Sequence, residues 1–127
     1  DSAGVQSNNW SYDPAISADG RFVAFYSGAT NLVAGDTNGR EDVFVHDRQT
    51  AVTTRVSVDS SGTQSDGYSY APDISADGRF VSFYSTATNL VAGDTNGVYD
   101  VFVHDRQTGD TTRVSVDSSG DQGDYSS

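Results

Sequence analysis

Ser17-Ala18-Asp19-Gly20-Arg21-Phe22-Val23 decides the fold, because the same seven residues return in the same order at 75–81. The offset is 58 residues, and it also carries 35–39 onto 93–97 and 43–48 onto 101–106. Laid over one another, 1–58 and 59–116 differ at 13 positions. Self-similarity at a fixed period marks an architecture of stacked units, each unable to bury its apolar faces alone. The chain therefore divides into a first unit with its leading connector (1–58), a second unit (59–116), and the start of a third repeat (117–127), a connector or tail in which Asp117-Ser118-Ser119-Gly120 repeats 59–62.

Four short strands are expected in each unit. The first covers about 14–17 and leads into the turn Ala18-Asp19-Gly20, where Gly supplies a positive φ. The second, 21–27, is rich in β-formers. The stretch 28–41 holds Asn31, Gly35, Asp36, Asn38 and Gly39 and reads as a long loop. The third strand, 42–47, is followed by the turn 48–51, and the fourth covers 53–58. The second unit has Gly109 where the first has Ala51, so the first unit's turn is either strained or of another type.

Composition agrees with an all-β chain. Of 18 acidic residues, 17 are Asp, the lone Glu is Glu41, all seven basic residues are Arg, and the net charge is −11. Turn formers dominate, while the helix formers Glu and Lys are nearly absent. So acidic a surface repels phosphate backbones, which excludes nucleic acid as a partner. The lack of Cys rules out disulfides, thiol catalysis and zinc–thiolate sites. No apolar run approaches the ~18 residues of a membrane span, and no membrane partner is expected. A chain without a starting Met is expected of a processed product or an excised segment.

Four antiparallel strands repeated in tandem is the pattern of a β-propeller blade. The sequence resembles the TolB-type propeller repeat family in its Ser-x-Asp-Gly-Arg turns at 17–21 and 75–79 and in Asp105-Arg106-Gln107-Thr108-Gly109. Ala18 and Ala76 stand where that family has Pro, and the loop between second and third strands is long. The resemblance implies a ring of about six blades, whereas this chain holds two. Leaving a blade face of several hundred Å² in water would cost on the order of 10 kcal/mol at ~25 cal/mol per Å², comparable with the whole stability of a small domain. The expected partner is the chain itself: a head-to-tail homo-oligomer closing the ring, six blades as a trimer, with eight as a tetramer the other closure; the other reading is a piece cut from a longer propeller.

Alternating strands sort the connections between two ends. The tight turns share one end; the long 28–41 loop and the 59–70 connector share the other, where function is expected. There Asp36, Asn38 and Asp42, repeated as Asp94, Asn96 and Asp100, offer hard oxygen donors around a Gly, the composition of a Ca²⁺ loop; Asp66 is a candidate further ligand. The other reading is an Asx turn leading into a strand. Trp10, Tyr12, Tyr68 and Tyr70, in the connectors, form a candidate ligand-binding set for carbohydrate or a small apolar molecule, or else plug gaps between blades. His46 and His104 close the third strands next to an Asp; they fit a catalytic His–Asp pair or a structural hydrogen bond. No catalytic set is identifiable. The reading is a calcium-stabilised oligomeric binding or scaffold module, extracellular or periplasmic in a bacterium. The alternative is a calcium-dependent hydrolase with weak promiscuous esterase, lactonase or phosphotriesterase activity, which the propeller architecture permits.

Overall fold

The computed structural model describes residues 6, 9–29, 31–32, 41–91 and 99–115. Eight strands form two sheets of identical order, β1-β2-β3-β4 and β5-β6-β7-β8. They are β1 (Ser11–Ile16), β2 (Phe22–Ser27), β3 (Asp42–Asp47), β4 (Val52–Arg55), β5 (Ser69–Ile74), β6 (Phe80–Ser85), β7 (Asp100–Asp105) and β8 (Thr111–Arg113). All neighbours are antiparallel, and the register repeats: Phe25 faces Phe44 as Phe83 faces Phe102.

Two boundaries differ from the sequence reading by more than one residue. The first strand begins at Ser11, not at Pro14, because a register shift between Tyr12 and Ala15 absorbs the proline, which cannot donate to the ladder. Asp13 takes φ 48° in this bulge and Ala71 takes φ 49° in its twin. Tyr12 and Tyr70 therefore lie in strands and not in connectors. The fourth strand stops at Arg55 and does not reach Val58. Although Val56 N–H still donates to Val43 O at 2.8 Å, the Ser57 hydroxyl accepts from Val43 N–H at 3.1 Å, so a side chain takes the place of the next rung.

The turn that sets the fold is stapled by its own Asp. Asp19 Oδ1 accepts from Ser17 Oγ at 2.8 Å and from Arg21 N–H at 3.0 Å, which lowers its pKa, while Gly20 sits at φ 75°. Arg21 then spans to the next turn, donating through Nε and Nη2 to both carboxylate oxygens of Asp47 at 2.9 and 2.8 Å. Arg79 grips Asp105 in the same way. Both carboxyls are held well below the usual range, first by the guanidinium and further by backbone N–H groups of the turn. Ala51 N–H donates to Asp47 O at 2.7 Å as Gly109 N–H does to Asp105 O at 2.8 Å, and Ala51 has φ 63°. The two units thus share one turn, and Ala51 bears its strain.

The blades pack face to face. Ala24, Val43, Val45 and Val56 of the first meet Val81, Phe83, Ala87, Leu90 and Phe102 of the second in one apolar core, flanked by Phe22 and Tyr26. Strand β5 packs on β1, β2 and β3, so the first strands converge and the outer strands splay. The connector fills the resulting wedge: Thr111 Oγ1 donates to Val58 O at 2.6 Å, and Thr111 N–H donates to Ser60 Oγ at 3.0 Å.

Candidate functional site

The main-chain atoms of residues 10 and 68 are pinned where the connectors enter the first strands. Ser27 Oγ donates to Trp10 O at 2.7 Å, and Ser85 Oγ donates to Tyr68 O at 2.8 Å. Their aromatic side chains project at the connector end, each resting on the tyrosine two residues on. Trp10 stacks on Tyr12 at 6.3 Å between centroids, and Tyr68 lies parallel to Tyr70 at 6.1 Å. The structure thus pairs the four sequence-predicted ligand residues within each blade.

Three further tyrosines weld the pairs into one layer. Tyr26 packs on Tyr12 at 5.2 Å and meets Tyr70 edge-on at 5.3 Å across the blade junction; Tyr84 and Tyr99 extend the layer beyond Tyr70. Sequence reasoning missed Tyr26, Tyr84 and Tyr99 as site residues, although Tyr26 and Tyr84 end strands that run toward the long loops. Burial and the nearby Glu41 carboxylate push the Tyr70 phenol up to about 12, so Tyr70 is uncharged at neutral pH. Trp10 is 73% exposed and Tyr12, Tyr68 and Tyr84 are also open to solvent, whereas Tyr26, Tyr70 and Tyr99 are half-buried between them.

Of the proposed calcium ligands, Asp36, Asn38, Asp94 and Asn96 lie outside the described residues. Asp42 and Asp100 are fully buried. Asp42 Oδ1 accepts from Ser57 Oγ at 2.9 Å and Ser65 Oγ at 3.3 Å; Asp100 Oδ1 accepts from Ser115 Oγ at 2.9 Å. Ser65 lies on the connector, so Asp42 ties the end of β3 to the chain entering the second blade. Asp66 accepts from Thr88 N–H at 2.7 Å and Thr88 Oγ1 at 2.6 Å, fastening the connector to the loop after β6. Among the described residues no three acidic or histidine side chains converge as a metal cluster.

The histidines point to threonine. His46 Nδ1 lies 2.7 Å from Thr53 Oγ1, and His104 Nδ1 lies 2.8 Å from Thr111 Oγ1. Burial lowers the His104 pKa. Asp19 and Asp77 are turn staples, as expected.

No protein-family profile and no curated protein matches this chain. Solved structures do. A TolB structure from Agrobacterium tumefaciens aligns with a TM-score of 0.58 at 21% identity, over 86% of this chain and 31% of that one. TolB from Acinetobacter baumannii aligns with a TM-score of 0.53 at 19% identity, over 86% and 22%. The fold is that of a TolB-type β-propeller. The chain spans less than a third of the length of these two propellers, and at this identity the likeness carries the architecture alone.

Proposed function

We propose that this TolB-like chain is a non-catalytic binding module whose ligand face is the connector end. The observation that carries the reading is the upper aromatic tier: a mostly exposed indole and an exposed phenol, each resting on a second tyrosine and fixed by a hydrogen bond to its main-chain carbonyl. Flat π faces with polar rims suit the C–H face of a pyranose, and the surrounding Asn, Ser and Glu41 offer partners for its hydroxyls. The ligand class is a neutral or cationic oligosaccharide, since a net charge of −11 opposes anionic glycans.

Calcium enters the proposal through Asp36, Asn38 and Asp42 and their repeats Asp94, Asn96 and Asp100. What supports it is an all-oxygen donor set on a strongly acidic chain; the ion would cross-link the long loops and offset their mutual repulsion. An extracellular or periplasmic setting accompanies this reading, and calcium is abundant outside the cell.

Trp10 is the one tryptophan, so its fluorescence reports the site directly. Titration with neutral oligosaccharides is expected to shift and saturate the emission, and Trp10→Ala with Tyr68→Ala to abolish binding measured calorimetrically. Silence across the panel would refute the module, and turnover of an activated ester lost in EDTA and restored by Ca²⁺ would favour the hydrolase.

A further inference from the structure

Each blade has two apolar faces, and the junction within the chain uses only one of each. On the second blade the unused face holds Phe80, Ser82, Tyr84, Val101, Val103 and Val114, the repeats of the residues the first blade buries at the junction. The contrast is sharp at Val56, 2% exposed, and Val114, 49% exposed. On the first blade the unused face is an open hollow of about 520 Å³ lined by Val23, Phe25, Leu32, His46, Arg48 and Thr53. The corresponding residues of the second blade include Val81, Phe83 and Leu90, buried against the first.

One contact locks the internal junction. The Phe22 ring lies between two guanidinium groups, Arg21 at 4.7 Å and Arg106 at 4.5 Å from its centroid. Its edge presses on Gly78, where a Cβ would come within 2.7 Å of Cε2. Arg106 is held for this by donating Nη1 to Gly78 O at 2.8 Å, and the turns are joined by Ala18 N–H donating to Ala76 O at 3.0 Å.

Both halves of that lock recur, separated, on the unused faces. Phe80 carries its own Arg79 at 4.7 Å and is 40% exposed. Gly20 has φ 75° against 77° at Gly78, and Arg48 Nη1 donates to Gly20 O at 2.9 Å. Among the described residues no aromatic ring lies within 4 Å of the position a Gly20 Cβ would take. The slot is built and its ring is elsewhere.

We propose that Phe80 of one copy seats in the Gly20–Arg48 slot of a second copy, head to tail, with Arg48 closing over the ring as Arg106 closes over Phe22. The occupant is a second copy because the complementary surface is already written in this chain: the internal interface, moved on by one blade, is the external one. The faces differ from their templates at two residues, Ser82 for Ala24 and Asp73 for Ala15, the second placing a carboxylate at the edge of the contact. Three copies of a two-blade chain supply six blades. This inference is independent of the ligand reading.

The test is light scattering and native mass spectrometry on the full chain, Phe80→Ala, Arg48→Glu and an equimolar mixture of the two variants. Wild type is expected as an assembly, three chains for a six-bladed ring. Each variant is expected to keep its β-sheet circular dichroism and to associate at least tenfold more weakly. The mixture is expected to form dimers and stop, because the Phe80→Ala copy keeps a working slot and the Arg48→Glu copy keeps a working Phe80. Wild type that stays a monomer at high concentration overturns the proposal and points to further blades of a longer chain as the occupant. Assembly of Phe80→Ala indistinguishable from wild type, or failure of the mixture to dimerise, also overturns it.

Discussion

Gly78→Ala and Gly20→Ala form a matched pair that measures how firmly the two blades are locked. Both glycines hold the same turn position, at φ 77° and 75°, so the left-handed strain of an alanine is common to both, about 1–2 kcal/mol. Their surroundings differ. At Gly20 a new methyl would find only Arg48 Nη1 at 3.8 Å and the Ile16 Cδ1 at 3.9 Å, ordinary contacts. At Gly78 it would overlap the Phe22 ring, with Cγ at 2.8 Å, so the ring must leave the two guanidinium groups or the turns must part. Overpacking of this kind costs about 1–3 kcal/mol beyond the strain. The comparison belongs in a Phe80→Ala background, where no neighbouring ring can occupy the Gly20 slot. Urea denaturation of the two double variants should give unfolding free energies separated by that amount, seen as a midpoint shift at unchanged slope. Equal costs, within about 0.5 kcal/mol, would mean that Phe22 is not lodged against Gly78, and the packing described for the junction would be wrong.

Four further perturbations probe other parts of the molecule. Ser57→Ala removes a buried hydroxyl that donates to Asp42 and accepts from Val43 N–H, and should destabilise by about 1–3 kcal/mol in urea melts. Burial lowers the folded-state pKa of His104, so the unfolded chain takes up the proton first. Stability should therefore fall as pH drops below about 6.5, and His104→Asn should flatten that slope in pH-dependent melts. Asp47 and Asp105 act in a lower window: their stabilisation is complete above the ordinary carboxylate range and is lost as pH falls further, so Arg21→Gln should raise the acid-unfolding midpoint. EDTA should lower the melting temperature and Ca²⁺, but not Na⁺ at equal ionic strength, should restore it; no change on chelation would remove calcium from the proposal.

The strands were legible where local signals agree. Asp42–Asp47 is read to the residue because apolar β-formers fill a run bounded by Asp at both ends. The start of β1 was hidden because Asp13-Pro14 reads as a turn, whereas the chain uses a bulge with Asp13 at positive φ to carry the strand through. The end of β4 was hidden because Ser57 substitutes a hydroxyl for a ladder rung, and no periodicity reports that. The same limit applies to Asp42. Its carboxylate accepts from serines 15 and 23 residues away, a tertiary tie that no local pattern reports. The aromatic tier was half legible for a related reason: Trp10 and Tyr68 stand out among small polar neighbours, while Tyr26 and Tyr84 are indistinguishable in sequence from blade-packing residues, which they also are.

The placement of the 13 differences between the units separates what assembly requires from what it leaves free. On the faces through which the blades meet, the large apolar residues repeat and only the small Ala15 and Ala24 change, to Asp73 and Ser82. At the connector end the repeat relaxes: Trp10 stands against Tyr68, Asn9 against Gly67, Asp13 against Ala71 and Glu41 against Tyr99. Packing does not force these changes, because the tyrosine layer beneath keeps Tyr12 and Tyr26 identical to Tyr70 and Tyr84. A purely structural plug would be under the same constraint as the faces and would repeat as faithfully. Differences also fall at Ala15 and Ala24 on the junction face and at Ala51 and Val52 in the tight turn, but those at the connector end change shape, charge and hydrogen-bonding capacity together, as a surface that contacts a ligand would. It also means that a closed ring would present two kinds of aromatic position in alternation around its mouth, giving a ligand with a repeating chemical unit a matching periodic surface.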